Sequence, residues 1–325
     1  MPVTPAALRF PTTRVVLPRT RLAYIHLRNL LNDAKRDRAA RISGYVAVSL
    51  LDELILLYLV DGELVNATVR DGKGSRAIAI PSALDAVPGE PEYGEICFHE
   101  ADQEQLGCMF AANDAVPDSW PNGFSPQDPS TLFPYLMSRT FDGVLEIVAN
   151  EFVNYLVLRH GTVVRAFLAS AHHGTVVDRV AKLFARDARV GELQVRHWSG
   201  VKGLPIQAPP GLVQAYRDLA SALVSRLVDG GRHSAPAIAE HARQNLLATH
   251  PVLDALSLSG KPAVEPLADT AGLTLGVAAW VKELMWAAVD HGGAPPEKLL
   301  RDLTWDRRHL FQSAGLYDHL PWKVM

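Results

Sequence analysis

Apolar residues alternate with turn residues in two stretches of the chain, and both stretches follow the same pattern. Residues 42–67 and 141–166 align without a gap at an offset of 99 positions. This alignment pairs Gly44 with Gly143, Gly62 with Gly161 and Ala67 with Ala166. Turn glycines and the spacing of apolar residues are kept between the copies. No polar side chain that could act in catalysis is kept at a matching position. The pattern therefore indicates a duplicated structural module rather than a duplicated reactive centre.

Each copy predicts a β-meander of three strands with one face on a core. The predicted strands cover residues 42–50, 54–60 and 63–69 in the first copy, and 141–148, 152–158 and 162–168 in the second. The two-residue turns Asp61-Gly62 and His160-Gly161 predict tight hairpins, because both turn positions require positive φ.

A helix and a fourth strand complete each predicted module. In the second copy Thr175 predicts a helix N-cap, and Asp178 completes a capping box with it. The first copy predicts its helix over 75–87. The predicted fourth strands cover residues 94–98 and 191–195, and leading helices are predicted over 22–40 and 132–137.

The order of these elements resembles the bacterial PATAN domain family. The shared features are a Leu-Leu helix, a Ser/Asp-Gly strand start, an Asp/His-Gly turn and a final Gly-Glu strand start. The resemblance covers residues 22–110 and 131–198. It implies a domain that mediates protein contacts next to signalling modules, with no established catalytic residues. Two copies and no receiver-like segment depart from the family pattern, which argues against a phosphorelay role and favours a scaffold or adaptor.

Helical periodicity replaces strand alternation in the C-terminal third. Its most apolar stretch, residues 273–289, carries Lys282 and Glu283 on one half of the helical wheel, with an aromatic side chain between them. This half either contacts a subunit or partner, or belongs to a helix that neighbouring helices bury on nearly all sides. The candidate contact residues are Leu275, Trp286 and Val289.

The predicted fold class is α+β, with two tandem repeats of a β-meander plus helix plus strand, followed by an all-α domain. The predicted organisation is a basic N-terminal arm (1–21), a first repeat (22–110), a Pro-rich linker (111–130), a second repeat (131–208) and a helical domain (209–325).

Charge is distributed unevenly along the chain. The net charge is -3, which predicts neither nucleic acid nor an anionic membrane as a general partner. The first 41 residues nevertheless hold nine basic and two acidic side chains. This start of the chain either meets an acidic partner or anionic surface, or is a solvated entry segment. The candidate contact arginines are Arg9, Arg14, Arg19 and Arg21.

Cysteine content and the N-terminal sequence indicate the cellular compartment in which the protein is expected. The two cysteines, Cys97 and Cys108, are too few for a disulfide framework or a thiolate metal site, and Cys97 is expected to be a buried thiol in a strand. The N-terminus contains no apolar run typical of a secretory signal, and the chain contains no apolar stretch long enough to span a membrane. We expect a cytoplasmic location.

The motifs that could indicate ligand binding or catalysis match their patterns only weakly. Gly72-Lys-Gly-Ser75 lacks the earlier glycine of a phosphate-binding loop, because Ala67 occupies that position, so a helix entry is favoured. The adjacent His172 and His173 point in different directions. Asp302, Asp306 and His309 share a helical face and could bind a metal, although the surrounding arginines favour ion pairing.

The sequence therefore predicts no catalytic, cofactor or metal site and no enzyme. The leading hypothesis is a non-catalytic scaffold or adaptor, a subunit of a homo- or hetero-oligomer or signalling complex. The alternative is binding of an anionic polymer or membrane surface through the arginine-rich arm.

Overall fold

The computed structural model describes residues 5–36, 41–88, 93–169, 174–185, 193–231, 233–256, 267–289 and 295–324. The chain divides into two compact units, Met1–Pro205 and Ile206–Met325. The first unit contains two antiparallel sheets and the second is helical, which confirms the predicted α+β class. The division falls at Pro205, whereas the sequence predicts the start of the helical domain at residue 209.

The first sheet contains six strands, three of which form the predicted meander. They are β1 (Arg14–Arg21), β2 (Gly44–Ser49), β3 (Leu54–Val60), β4 (Glu63–Asp71), β5 (Gly74–Ala77) and β6 (Glu95–Glu100). Their order is β1-β6-β2-β3-β4-β5. The helices of this repeat are α1 (Leu27–Arg36), α2 (Ile80–Asp85) and α3 (Gln103–Asp114).

The second sheet repeats the central four strands of the first. Its strands are β7 (Gly143–Ala149), β8 (Phe152–Arg159), β9 (Thr162–Phe167) and β10 (Gln194–Ser199), in the order β10-β7-β8-β9. Its helices are α4 (Pro129–Ser138) and α5 (Val176–Phe184). The predicted capping box at the start of α5 is confirmed, because Thr175 and Asp178 bond reciprocally to each other's backbone N–H. Residues 191 and 192 of the predicted fourth strand lie outside the described residues.

Small backbone features also recur at the offset of 99 residues. The β3–β4 ladder shifts register between Tyr58 and Leu59, and the β8–β9 ladder shifts at the corresponding place, between Val157 and Leu158. In the first repeat the Asp61 amide donates to Ser43 Oγ over 3.0 Å. The equivalent His160 amide donates to Asp142 Oδ1 over 2.7 Å. The duplication therefore extends from strand order to individual turn hydrogen bonds.

The kept glycines mark close backbone contacts, and only two of them lie in turns. Gly62 and Gly161 occupy the hairpin turns with φ of 79° and 75°. Gly44 and Gly143 lie inside β2 and β7, so their prediction as turn glycines is wrong. A Cβ at Gly44 would lie 2.1 Å from the His99 carbonyl oxygen, and one at Gly143 would lie 2.1 Å from the Trp198 carbonyl oxygen. Each meander is therefore joined to its fourth strand at a place with no room for a side chain.

The two repeats share a core between their sheets. Helices α1 and α2 cover the outer face of the first sheet, and α4 and α5 cover the outer face of the second. A further apolar cluster combines Tyr45 and Tyr58 of the first sheet with Val144 and Tyr155 of the second. Helix α3 contributes to this shared cluster, for example through Leu106. The repeats thus pack as an internal pair within one unit.

Two predicted segments differ from the structure because they pair as strands with other segments. Residues 14–21 are not a free arm, because β1 pairs antiparallel with β6. Residues 74–77 are not helical, because β5 pairs with β4 and the helix begins only at Ile80. The Gly72-Lys-Gly-Ser75 motif is therefore part of a hairpin rather than a helix entry, and the Lys73 amide donates to Asp71 Oδ1 in its turn.

The predicted linker between the repeats is also partly structured. Helix α3 continues to Asp114, and the following segment bonds to β10 of the second sheet. The Asp118 amide donates to the His197 carbonyl, and Trp120 Nε1 donates to the Val195 carbonyl. The proline-rich segment is therefore attached to the second sheet by specific hydrogen bonds.

The unit Ile206–Met325 is built from helices around its own core. These are α6 (Pro210–Asp229), α7 (Ala235–Leu246), α8 (Thr270–Val289), α9 (Pro296–Thr304) and α10 (Arg308–Ser313). Tyr216 stacks on Phe311 within this core, and Trp280 Nε1 donates to the Ala239 carbonyl. Among the helices that the structure describes, none combines the length and the hydropathy needed to cross a membrane.

Candidate functional sites

Helix α8 presents an exposed stripe on an otherwise buried helix. Leu275 is 45% exposed and Trp286 is 53% exposed, whereas Leu273, Val281 and Leu284 are almost fully buried. The two exposed residues lie eleven positions apart, which is about 16 Å along the helix axis. Their exposure favours the contact-face interpretation over burial on all sides. The Val289 side chain lies outside the described part of the structure.

The Trp286 ring is held in place by a neighbouring charge. Lys282 Nζ lies over this ring, 5.4 Å from its centroid. A cation–π contact at an exposed site contributes about 0.5–1 kcal/mol. An aromatic side chain that is already oriented loses less conformational entropy when a partner covers it.

Three of the four candidate arginines near the N-terminus form ion pairs within the chain. The structure pairs Arg9 with Glu151 (2.9 Å), Arg14 with Glu100 (2.7 Å) and Arg19 with Glu95 (3.0 Å). Arg21 is an exposed residue of β1 opposite Glu95. These in-chain carboxylates offset the positive charge of the segment, which weakens the case for a polyanion-binding arm.

The candidate metal residues of the C-terminal unit do not gather. Asp302 lies on α9, Asp306 lies in a 3-10 turn at Trp305–Arg307, and His309 lies on α10. The break at this turn separates residues that one continuous helix would align. Across the part of the chain that the structure describes, no group of three or more His, Cys, Asp or Glu residues could hold a metal ion. His172 and His173 lie outside that part.

The unit Met1–Pro205 contains a cavity of about 510 Å³ that the sequence does not predict. It lies between β2 and β6 of the first sheet and a segment that we call the strap, residues 8–12. The second repeat contributes part of its wall. The lining residues are Leu8, Arg9, Phe10, Thr12, Arg19, Tyr45, Ala47, Cys97, His99, Phe152 and Ala169.

The strap connects the two repeats over this cavity. The Arg9 amide donates to the Glu151 carbonyl (2.8 Å), and the Val153 amide donates to the Arg9 carbonyl (2.9 Å). The strap therefore pairs with the start of β8 in the second sheet. On the first sheet, Tyr45 Oη lies 3.1 Å from the Pro11 carbonyl oxygen. Each end of this short segment thus bonds to a different repeat.

Polar side chains on one sheet face supply the cavity's hydrogen-bonding groups. Tyr45 lies directly opposite His99 in the β2–β6 ladder, and Ala47 lies opposite Cys97. Tyr45 Oη is 2.9 Å from His99 Nδ1. Among the described residues, His99 Nε2 has no hydrogen-bond partner.

Burial keeps these groups uncharged. It lowers the pKa of His99, and the nearby Arg19 charge lowers it further. It raises the pKa of the Cys97 thiol, with a smaller opposing effect from Arg19. A reactive cysteine requires the opposite shift, toward the thiolate. The Cys97 thiol is therefore a poor nucleophile at neutral pH.

The cavity could not be found from sequence spacing, because its walls come from distant parts of the chain. Strap residues, β2, β6 and the start of β8 are separated by about thirty to sixty positions each. Two features of the local sequence point to the cavity. Ala47 is small within a strand of bulkier residues, and Cys97 and His99 lie on one face of β6.

A scan against protein-family models, a search of curated proteins and a search of solved structures each found no match. The resemblance to PATAN domains therefore stays a prediction. Function has to be inferred from the surfaces and the cavity of this chain.

Proposed function

We propose that this chain is a non-catalytic scaffold or adaptor protein of the cytoplasm that works as a subunit of a larger assembly. It self-associates through the exposed stripe of α8. The observation that carries this proposal is the exposure of Leu275 and Trp286 on a helix whose other faces are buried. The resemblance to PATAN domains supports a contact-making role.

The stripe has the spacing of a helix–helix contact surface. Leu275, Ala279, Lys282 and Trp286 follow one another at intervals of four, three and four residues. This spacing places them on one narrow seam of the helix. Ala279 is small and half-buried, which allows a second helix to approach closely at the middle of the seam.

A second copy of the chain is the occupant that this seam fits. In an antiparallel pair of α8 helices with a two-fold axis between residues 280 and 281, Leu275 faces Trp286 of the partner subunit. The same axis brings Ala279 against Lys282 of the partner subunit. The contact is isologous, because each copy supplies both the aliphatic and the aromatic member of the pair. A hetero-oligomer that uses the same face is the other form of the assembly.

The test is the oligomeric state of the Trp286→Ala variant, measured by sedimentation and light scattering over a concentration series. Truncating a tryptophan in an interface costs about 2 kcal/mol, and the isologous contact contains Trp286 twice, so we expect a total of about 4 kcal/mol, or a roughly 1,000-fold weaker association. We therefore expect wild-type dimers and a variant shifted toward monomer.

Trp305→Ala is the matched control, because Trp305 is 63% exposed in the same unit but lies off the α8 seam. It should associate like the wild type. Equal association constants for Trp286→Ala and wild type would contradict the proposed seam. A wild-type chain that stays monomeric up to roughly 0.1 mM would reject self-association.

A further inference from the structure

We propose that the cavity under the strap binds a small amphipathic anion, a carboxylate carried on an apolar chain of roughly ten carbons. This site is separate from the α8 seam, and no step of its argument depends on oligomerisation.

The size and the walls of the cavity fit such a molecule. Its volume of about 510 Å³ lies within the range of small-molecule pockets, which is roughly 300–1,000 Å³. Six of its lining residues present mainly apolar or aromatic surface: Leu8, Phe10, Tyr45, Ala47, Phe152 and Ala169. Placing an alkyl chain against these walls removes apolar surface of both molecules from water.

The two arginines of the lining favour an anion, because their paired carboxylates offset the net charge of the segment but do not line the cavity. Arg9 and Arg19 line the cavity, and no aspartate or glutamate does. Their carboxylate partners Glu151 and Glu95 are 37% and 50% exposed. Exposed ion pairs contribute little to stability, and each guanidinium has five N–H donors in total. An arginine can therefore keep its in-chain partner and still bond a ligand carboxylate.

His99 lines the cavity beside these charges. Its Nδ1 is engaged with Tyr45 Oη, which fixes the orientation of the ring. The single Tyr45 hydroxyl proton is donated to the strap carbonyls of Phe10 and Pro11, so the neutral imidazole donates its Nδ1 proton to Tyr45 Oη. Nε2 is then a lone-pair acceptor, so the two arginines, and not His99, bind the ligand carboxylate.

Cys97 provides a reporter inside the site. It is half-buried and lines the cavity, whereas Cys108 is 2% exposed and burial raises its pKa to about 12. Thiol alkylation, read by intact-mass spectrometry, can therefore be followed at Cys97 in the full-length Cys108→Ala protein. The probes are decanoate, decan-1-ol and decylammonium, each kept below its micelle concentration.

Decanoate at saturation should slow alkylation of Cys97 by at least about tenfold, because an occupied cavity excludes the reagent. Decan-1-ol should protect less at equal concentration, and decylammonium least, because both charged residues of the lining are arginines. Equal protection by decan-1-ol and decanoate would overturn the anionic class. The absence of protection by every probe would overturn the site.

Two variants separate the cavity from general effects. Arg19→Gln should weaken decanoate protection about tenfold, since it removes one charge-assisted contact. Arg14→Gln is its control, because Arg14 lies on the same strand but does not line the cavity. If both variants weaken protection equally, Arg19 does not select the ligand.

Ala169→Leu should fill the cavity and abolish protection, with an unchanged circular dichroism spectrum and melting temperature as the folding check. Full decanoate protection in a folded Ala169→Leu protein would overturn the site. Trp286→Ala should retain full protection, so failure of the α8 proposal and failure of this one are distinguishable.

Discussion

At the residue scale, His197 shows how burial among aromatic side chains changes the pKa of a histidine. His197 is 7% exposed on β10, and its ring lies 4.0 Å from that of Trp120 and 5.4 Å from that of Phe141, measured between centroids. Burial lowers the pKa of His197, with a smaller opposing effect from Asp118. These aromatic neighbours could not be predicted from the sequence, because Trp120 and Phe141 are far from His197 along the chain.

This burial predicts a loss of stability in mild acid. The folded-state pKa of His197 lies below its usual value of 6.5, so the unfolded chain binds more protons as the pH falls. The free energy of unfolding should therefore be highest above about pH 6.5 and should decrease between about pH 6.5 and the folded-state pKa. Urea unfolding at a series of pH values measures this slope.

His197→Phe should reduce the slope, because it removes the titrating ring and keeps an aromatic side chain. His99 shifts in the same direction, so part of the slope should remain. His160→Gln is the control, since His160 is 83% exposed in its hairpin turn. If His197→Phe leaves the pH dependence of the free energy of unfolding unchanged, His197 does not take up a proton when the protein unfolds.

At the element scale, the strands show what a local pattern can and cannot predict. Strand β3 begins and ends at the predicted residues, because a continuous apolar run between two turns defines it locally. Strand β1 was predicted as part of a basic arm, because its arginines and proline do not have a strand pattern. It pairs with β6, and Arg14 and Arg19 bond to Glu100 and Glu95 of that strand. Tertiary pairing thus produced a strand from a charged segment.

The contact between β7 and β10 yields a prediction about Gly143. Gly143→Ala places a Cβ 2.1 Å from the Trp198 carbonyl oxygen, so the two strands have to separate locally. We expect destabilisation of about 2 kcal/mol, measured by urea unfolding. Gly203→Ala should cost less than about 0.5 kcal/mol, because nothing lies within 4 Å of a Cβ built there. Similar midpoints for the two variants would argue against this contact as the reason for the kept glycine.

At the scale of the whole molecule, the shared core makes the two repeats one structural unit. Leu106 of α3 is fully buried in the cluster to which both sheets contribute. Leu132 of α4 is equally buried, but in the outer cluster of the second sheet alone. These two leucines are matched in size and burial and differ in which sheets they support.

Amide hydrogen exchange can test this coupling. Leu106→Ala should raise exchange in both β2 and β7, because it opens a cavity in the shared cluster at a cost of about 2–5 kcal/mol. Leu132→Ala should raise exchange mainly in β7–β10. If Leu106→Ala affects only the first sheet, the repeats are energetically independent despite their contact.

The sequence alone determined the hairpin turns, the meander strands, the α5 cap and the wheel position of Trp286. These features depend on residues within a few positions of one another, through positive φ, alternation and short-range hydrogen bonds. Only the tertiary structure decided that β1 joins a sheet, that the repeats share a core and that a strap borders a cavity. These features depend on contacts such as Arg9 with Glu151 and Tyr45 with His99, which join residues that no local pattern relates.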